Sequence, residues 1–151
     1  MNAIRKIGFI GIGNMGNPMA GHLVKKGFDV TVYDVRPEVV KAFVAQHGGK
    51  AAATLVDVAH GMDAVITMLP DDKIVRKVVL GDGSENCLAA GLAKGAVVID
   101  MSTCNPTATR LLADGEPPVE EGLRRHGLRR PAGGREGVRL AARRQAGRVP
   151  G

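Results

Sequence analysis

The stretch FIGIGNMGNPMAGHL, from Phe9 to Leu23, places glycines at positions 11, 13 and 16 directly after a run of apolar residues. Short apolar runs that end at glycine are typical of strands buried on both faces of a sheet. Behind the glycines, Met15, Met19 and Leu23 recur at the four-residue spacing of one helix face. The stretch therefore predicts a strand, a tight glycine turn and a helix in succession.

The same alternation of strand and helix continues to about residue 113. Four strands are predicted with a fifth, weaker candidate, in the order Ile7–Ile10, Val30–Tyr33, Lys50–Ala53 (the weaker one), Ala64–Leu69 and Ala96–Met101. Helices are predicted after the glycine turn, from Pro37 onward, and over Thr54–His60, Asp71–Leu80, Glu85–Leu92 and Pro106–Ala113. This order predicts an α/β fold of the Rossmann type, a doubly wound parallel sheet with helices on both faces.

Residues 114–151 differ in composition from residues 1–113. The first 113 residues carry 12 Lys and Arg against 10 Asp and Glu, whereas the last 38 carry nine Arg and five acids. No apolar period runs through this tail, so we expect it to be disordered or poorly structured. Nucleic-acid binding through the arginines is an alternative. The lack of aromatic residues and the interspersed acids disfavour it, and we expect no nucleic-acid partner.

Composition also excludes several other classes of protein. No apolar run approaches the roughly 20 residues of a membrane span, and the charged pair followed directly by a strand leads us to expect no signal peptide. Cys87 and Cys104 stand far apart without metal-ligand spacing, which is typical of free thiols in a reducing compartment. We therefore expect a cytoplasmic protein with neither a membrane nor a metal partner.

Each glycine of the G-x-G-x-x-G pattern has a distinct physical role. Gly11 allows the tight turn that leaves the strand, Gly13 allows close backbone approach to a pyrophosphate, and Gly16 allows the helix to pack on the first strand. The helix start then presents N–H groups and the positive end of its dipole to the phosphates. The pattern predicts a dinucleotide cradle, although S-adenosylmethionine remains open from spacing alone.

An acidic residue at the end of the second predicted strand indicates which dinucleotide is bound. Asp34 lies 23 positions after Gly11, where a carboxylate takes the hydroxyls of an adenosine ribose and repels a 2′-phosphate. This favours NAD, with NADP as the alternative. Arg36 either softens that preference or is a solvated side chain before Pro37.

Three motifs in order resemble the β-hydroxyacid dehydrogenases, a family that includes 6-phosphogluconate dehydrogenase, and among its members they are most similar to 3-hydroxyisobutyrate dehydrogenase. They are GFIGIGNMGNPMAGHL, TMLP at Thr67–Pro70, and VIDMSTCNP at Val98–Pro106. The resemblance covers residues 4–113. The resemblance implies that residues 1–113 form an NAD(P)-binding domain and that residues 114–151 are a separate tail.

The resemblance also implies roles for particular residues. Those expected to contact the cofactor are Gly11, Ile12, Gly13, Asn14, Met15, Gly16, Asp34, Leu69, Pro70 and Thr103. Ser102 is expected to face the substrate. A structural alternative is that Ser102 and Thr103 cap a helix near Pro106, and that Asp100 makes only a structural hydrogen bond.

By the same resemblance, the chemistry is reversible hydride transfer between a nicotinamide and a small 3-hydroxy acid. The family places a catalytic lysine on a helix after the cofactor domain, beyond a substrate loop of the form D-A-P-V-S-G-G. Lys94 is the last lysine here, so no catalytic residue is assigned. The helical domain through which the family forms homo-oligomers is also expected to be missing. A non-catalytic dinucleotide-binding module or redox sensor is the alternative function.

Read one base out of frame with suitably chosen codons, the tail resembles the segments that are missing. With codons CTT CGT CGA CCC GCC GGT, Leu128–Gly133 reads Phe-Val-Asp-Pro-Pro-Val one base later, close to the family's F-V-D-A-P-V. The same shift at Arg144–Val149 gives Gly-Lys-Leu-Ala-Val, which matches a G-x-L-x-V segment of the family. Our hypothesis is that the chain from about residue 114 is translated out of frame.

Overall fold

The computed structural model describes residues 3–102 and the backbone of one further strand at residues 139–142. Strands and helices alternate along this part of the chain. In order they are β1 Lys6–Ile10, α1 Gly16–Lys25, β2 Asp29–Tyr33, α2 Pro37–His47, β3 Lys50–Ala51, α3 Leu55–Ala59, β4 Ala64–Thr67, α4 Asp72–Leu80, α5 Leu88–Gly91, β5 Val97–Asp100 and β6 Arg139–Ala142.

All neighbouring strands of the sheet run parallel, in the order β3-β2-β1-β4-β5-β6. The predicted Rossmann-type fold is therefore confirmed. The chain winds outward from β1 on one side through β2 and β3, and on the other through β4, β5 and β6. In such sheets a crevice opens at the carboxyl ends of the strands where the winding reverses, here between β1 and β4.

Two apolar cores lie on opposite faces of the sheet. Successive strand residues point to opposite faces, so Phe9 packs into the core beneath α1 and α2, and Ile10 into the core beneath α3, α4 and α5. Both side chains are fully buried. Burial of an apolar side chain of this size stabilises the fold by about 1.5–3 kcal/mol, and here β1 contributes to both faces.

The helices begin in chemically different ways. The side chain of Thr54 accepts a hydrogen bond from Asp57 N–H at the start of α3, and that of Asp71 accepts one from Ile74 N–H at the start of α4. Pro37 occupies the first turn of α2, as predicted. The start of α1 has neither a side-chain cap nor an acidic residue in its first turn.

The prediction that Met15 belongs to the buried face of the first helix is wrong. Met15 precedes α1 and is 63% exposed, whereas the buried residues of α1 are Gly16, Ala20 and Gly21. The helix packs so closely that only small residues fit, and a Cβ on Gly21 would lie 2.9 Å from the ring of His47. The long side chains of the helix pack at the sides of this contact.

Three further differences concern the ends of elements and the tail. The third strand has two residues and α5 has four, so both are shorter than predicted. Strand β6 lies within the tail that was expected to lack regular structure, so the structure differs from that expectation at these four residues. The helix predicted at Pro106–Ala113 lies outside the described residues.

Candidate functional site

A cleft of about 570 Å³ opens at the carboxyl ends of β1, β2 and β4. Its walls come from the glycine loop, the end of β2, the loop after β4 and one face of α4. The lining residues are Ile10, Gly11, Gly13, Asn14, Met15, Gly16, Tyr33, Asp34, Val35, Arg36, Met68, Leu69, Pro70, Ile74 and Val78. Among the predicted cofactor residues within residues 3–102, only Ile12 is not in this lining.

Gly11 makes the turn that carries the chain out of β1. Its φ is +88°, and its N–H donates a 3.0 Å hydrogen bond to the carbonyl of Tyr33 on the neighbouring strand. A Cβ at this position would overlap the carbonyl oxygen of Met68, in the loop after β4. Both the backbone conformation and the close contact therefore require glycine.

Gly16 and Gly13 lack side chains for opposite reasons. A Cβ on Gly16 would overlap the carbonyl oxygen of Gly11, so this glycine permits the close packing of α1 on the loop. A Cβ on Gly13 would meet no heavy atom nearer than Arg36 Nη2, at 3.6 Å, and would project into open space. Contacts within the protein explain Gly16 but do not explain Gly13.

Helix α1 begins inside this cleft. Met15 is its N-cap residue and makes no side-chain cap, so the first-turn N–H groups have no side-chain acceptor there. Those groups and the positive end of the helix dipole favour an anion.

Asp34 is held at the edge of the cleft by backbone and side-chain donors. Its Oδ2 accepts from Ile12 N–H at 3.1 Å, and its Oδ1 accepts from Arg36 N–H at 3.0 Å. The Ile12 side chain is buried, so this residue contributes through its backbone. Burial disfavours the charged carboxylate, but hydrogen bonds from Arg36 and Ile12 outweigh it, and the pKa of Asp34 lies below its ordinary value of 3.8.

The guanidinium of Arg36 also pairs with this carboxylate. Its Nε lies 3.1 Å from Oδ1 of Asp34 and its Nη2 lies 3.4 Å from Oδ2. The Asp34 side chain is only 6% exposed, whereas that of Arg36 is 53% exposed. Arg36 is therefore neither a plain core residue nor a free solvated side chain.

The opposite wall is tied to the ends of β4 and β5. Leu69 N–H donates a 2.8 Å hydrogen bond to the hydroxyl of Ser102. The carboxylate of Asp100 accepts from the hydroxyl of Thr67 and from Ser102 N–H, each at 3.0 Å. Ser102 thus supports the wall without lining the cleft, and Asp100 makes structural hydrogen bonds of the kind expected for it. Thr103 lies outside the described residues.

An apolar part of the lining was not predicted from the sequence. Val35 is 81% exposed at the mouth of the cleft, and Ile74 and Val78 reach it from α4. The next residue after each of these two, Val75 and Val79, is buried in the core. The two adjacent apolar stripes on α4 form a wider apolar surface than packing on the core alone requires. This width could have indicated from the sequence that α4 also lines a cleft.

The described residues offer no arrangement for other common kinds of site. No group of three or more His, Cys, Asp or Glu side chains between residues 3 and 102 could hold a metal ion. In the same range, no helix is both long and apolar enough to cross a bilayer. His47 bonds the side-chain oxygen of Asn17 at 3.0 Å and so links α2 to α1, as expected of a structural histidine.

A six-stranded parallel sheet with a glycine loop at the reversal of its winding defines a dinucleotide-binding domain of the Rossmann type. Residues 6–118 match the family model described as the NAD binding domain of 6-phosphogluconate dehydrogenase. The chain belongs to this family, and its relatives are oxidoreductases of the 3-hydroxyisobutyrate dehydrogenase type.

Two curated relatives are similar over most of the described range. The mitochondrial 3-hydroxyisobutyrate dehydrogenase of Rattus norvegicus is 42% identical over 107 residues, which are 71% of this chain and 31% of the rat protein. The 3-sulfolactaldehyde reductase of Escherichia coli K12 is 43% identical over 109 residues, which are 72% of this chain and 35% of that protein. The chain thus spans about a third of the length of these relatives.

A solved structure of a family member has the same fold. The Mycobacterium tuberculosis 3-hydroxyisobutyrate dehydrogenase, determined with L-serine, superposes with a TM-score of 0.68 at 26% identity. The match covers 93% of this chain and 40% of the mycobacterial one.

Proposed function

We propose that the cleft binds NAD, with NADP as the alternative dinucleotide. One observation carries the proposal: Gly13, which no contact within the protein requires, stands before an uncapped helix start and lines the same cleft as the ionised carboxylate of Asp34. The helix start suits a pyrophosphate, and the carboxylate suits ribose hydroxyls. S-adenosylmethionine has no pyrophosphate and would leave the anion site unused, so the dinucleotide is favoured.

The glycine loop and the loop after β4 are proposed to contact different parts of the dinucleotide. The backbone N–H groups from Gly13 to Gly16 hold the pyrophosphate, and the missing side chain of Gly13 lets it approach. The loop of Met68, Leu69 and Pro70 forms the opposite wall, where the family resemblance places the nicotinamide side of the site. When bound, the nicotinamide supplies or accepts a hydride.

The substrate class rests on the relatives and on the motif at the end of β5. We propose a small 3-hydroxy acid, interconverted with its aldehyde, because the similar proteins are a 3-hydroxyisobutyrate dehydrogenase and a 3-sulfolactaldehyde reductase. Oxidation of such an alcohol removes a hydride from carbon and a proton from the hydroxyl, and the proton requires a general base. By the family resemblance, Ser102 is the proposed neighbour of the substrate and Thr103 that of the cofactor.

This chain by itself is proposed to bind the cofactor without turning over substrate. Lys94, its last lysine, lies between α5 and β5 and does not line the cleft. A cytoplasmic location completes the proposal, and homo-oligomer formation is proposed only for a protein that carries the further helical domain of the family.

A titration of the full chain with NADH, read by the rise in cofactor fluorescence, tests the dinucleotide proposal. Gly13→Val projects a side chain into the open cleft, so it should weaken NADH binding at least about tenfold, or about 1.4 kcal/mol. Its unfolding temperature should remain close to that of the wild type, because the heavy atom nearest to a Cβ at this position is Arg36 Nη2, 3.6 Å away at the end of an exposed side chain. Gly13→Ala adds only one carbon atom, so it should weaken NADH binding less than Gly13→Val does.

The same titration with S-adenosylmethionine separates the two ligand classes. Binding of that ligand in preference to NADH, or equal NADH affinity in the wild type and Gly13→Val, would refute the proposal. A second assay supplies NAD and 3-hydroxyisobutyrate and follows NADH formation. Turnover comparable to that of a full-length dehydrogenase would show that binding without catalysis is wrong.

A further inference from the structure

We propose that Met15 is a site of reversible oxidation, and that conversion of its thioether to a sulfoxide by a hydroperoxide weakens dinucleotide binding. The inference rests on the proposed dinucleotide binding and concerns a chemical modification of the glycine loop that would control it.

The sulfur-containing residues of the described chain differ in their exposure to solvent. Met15 is 63% exposed, whereas Cys87 is completely buried. The other methionines between residues 3 and 102 are all half-buried, and these are Met19, Met62, Met68 and Met101. A dissolved hydroperoxide therefore reaches Met15 more readily than any other methionine in this range.

The position of Met15 connects its oxidation to the cleft. The residue lies between Gly13 and Gly16 in the glycine loop, and it lines the cleft. It is also the N-cap residue of α1, a position where Ser, Thr, Asp or Asn commonly supply an oxygen that accepts from first-turn N–H groups. A thioether sulfur is only a weak acceptor, and Met15 makes no such bond.

Oxidation turns this apolar side chain into a hydrogen-bond acceptor. The hydroperoxide transfers its terminal oxygen to the sulfur, so an S–O bond forms as the O–O bond breaks. The proton of that oxygen moves to the leaving oxygen, which departs as water or an alcohol. The sulfur loses two electrons and the peroxide gains them. Thiol-dependent reductases return the sulfoxide to the thioether, so the modification is reversible.

The sulfoxide oxygen opposes the binding of a pyrophosphate in two ways. It carries partial negative charge in the part of the cleft proposed for the phosphates. It also supplies the N-cap position with an acceptor that competes for the N–H groups at the start of α1. Because Met15 is exposed, the added oxygen disturbs no core packing, and the oxidised chain should keep its unfolding temperature within a degree or two.

The test treats the full chain with hydrogen peroxide, locates the added oxygen by peptide mass mapping, and titrates each sample with NADH by cofactor fluorescence. The Met15 peptide should gain an oxygen atom first, and NADH affinity should fall at least about fivefold as that peptide is converted. A methionine sulfoxide reductase with a dithiol should reverse both changes. Saturating NADH should slow the oxidation of Met15 but not that of Met62, which precedes β4 at the opposite end of the strands.

Met15→Leu and Met15→Gln are a matched pair of variants. Neither has a sulfur at this position, and the amide oxygen of glutamine is as many bonds from the backbone as the sulfoxide oxygen. Met15→Gln should therefore bind NADH more weakly than Met15→Leu does, at a similar unfolding temperature. Peroxide should leave the NADH affinity of Met15→Leu at its own untreated value. Met62→Leu is the control and should lose NADH affinity on treatment as the wild type does.

Oxidation of Met15 no faster than that of the half-buried methionines would overturn this assignment while dinucleotide binding stands. The same conclusion follows if complete oxidation of Met15 leaves NADH affinity unchanged, or if peroxide weakens NADH binding by Met15→Leu as much as by the wild type. If the untreated wild type does not bind NADH, the proposed function itself is refuted, and the control of binding by Met15 with it.

Discussion

The hydroxyl of Ser102 accepts a 2.8 Å hydrogen bond from the backbone N–H of Leu69, and this bond ties the end of β5 to the loop after β4. The carboxylate of Asp100 accepts hydrogen bonds from the N–H of the same serine and from the hydroxyl of Thr67, the residue paired with Asp100 on the neighbouring strand β4. Thr67 and Asp100 are both buried. The wall of the cleft that is formed by the loop after β4 is therefore bonded to the ends of two strands of the sheet.

Replacement of Ser102 tests whether this residue positions the wall. Ser102→Ala leaves Leu69 N–H without its acceptor, so the free energy of unfolding should fall by about 1 kcal/mol and NADH should bind a few-fold more weakly. Ser102→Thr keeps the hydroxyl and should restore both values. Chemical denaturation and NADH titration measure them. If Ser102 contacts only a substrate, Ser102→Ala will match the wild type in both measurements.

Replacement of Thr67 tests the buried end of the same network. Thr67→Val keeps the shape of the side chain but removes one of the two donors to the Asp100 carboxylate. Leaving a buried charged acceptor short of a donor costs about 1–3 kcal/mol of stability. Thr31→Val is a matched control on β2, three strands away from Asp100 in the sheet order. Equal denaturation midpoints for the two variants would contradict the role of Thr67.

The three fingerprint glycines should respond differently to alanine. Gly16→Ala forces a Cβ against the Gly11 carbonyl, and overpacking of this kind costs about 1–3 kcal/mol, which thermal unfolding will show as a lower midpoint. Gly13→Ala should leave the midpoint within a degree or two, since its Cβ enters open space, and only cofactor binding should fall. A loss of stability in Gly13→Ala equal to that in Gly16→Ala would mean that both glycines serve packing alone.

The alternating strands and helices were predictable because their signals are local. β-branched runs bounded by Gly or Asp mark β1, β2, β4 and β5 within two residues of their observed ends. The glycine loop and Asp34 follow from spacing in the same way, since each acts through the backbone or at the end of a strand. Short elements carry few such residues, so β3 and α5 were predicted too long.

The contacts that shape the cleft could not be predicted, because they join segments distant in the chain. Ser102 reaches Leu69 only because β4 and β5 are neighbours in the sheet, and the exposure of Met15 depends on how closely α1 packs. The pairing of Arg36 with Asp34 is local in sequence, but its geometry depends on the Ile12 N–H that fixes the carboxylate from the other side.

Acid pH should destabilise the chain partly through Asp34. The folded state holds the pKa of this carboxyl below its unfolded value of about 3.8, so the stability it contributes is fully present above about pH 4. That contribution is lost as the pH falls through the folded pKa. We expect the denaturation midpoint to decrease below about pH 4, and to decrease less steeply in Asp34→Asn.

The pKa of Asp63 is also lowered in the folded state, because backbone N–H groups donate hydrogen bonds to its carboxylate. The Asp34→Asn variant should therefore still show part of the decrease in denaturation midpoint at acid pH. Asp34→Asn combined with Asp63→Asn should flatten it further. A slope in Asp34→Asn as steep as in the wild type would show that the carboxylate is not stabilised by its donors in the folded state.

The nucleotide sequence near codon 114 tests the origin of the tail. Similarity to the family model ends at residue 118, and the curated relatives match over only 107 to 109 residues. If the tail is translated out of frame, the reading frame that begins one base later should encode Phe-Val-Asp-Pro-Pro-Val at codons 128–133 and Gly-Lys-Leu-Ala-Val at codons 144–149. It should continue into a helical domain that carries a lysine.

Restoring that frame by one inserted or deleted base should then give a longer protein that turns over a 3-hydroxy acid with NAD or NADP. The same protein with the new lysine changed to alanine should bind NADH but not turn over. A shifted frame that stops within a few codons, or that encodes no similarity to the dehydrogenases, would show that the arginine-rich tail is the native continuation of the domain.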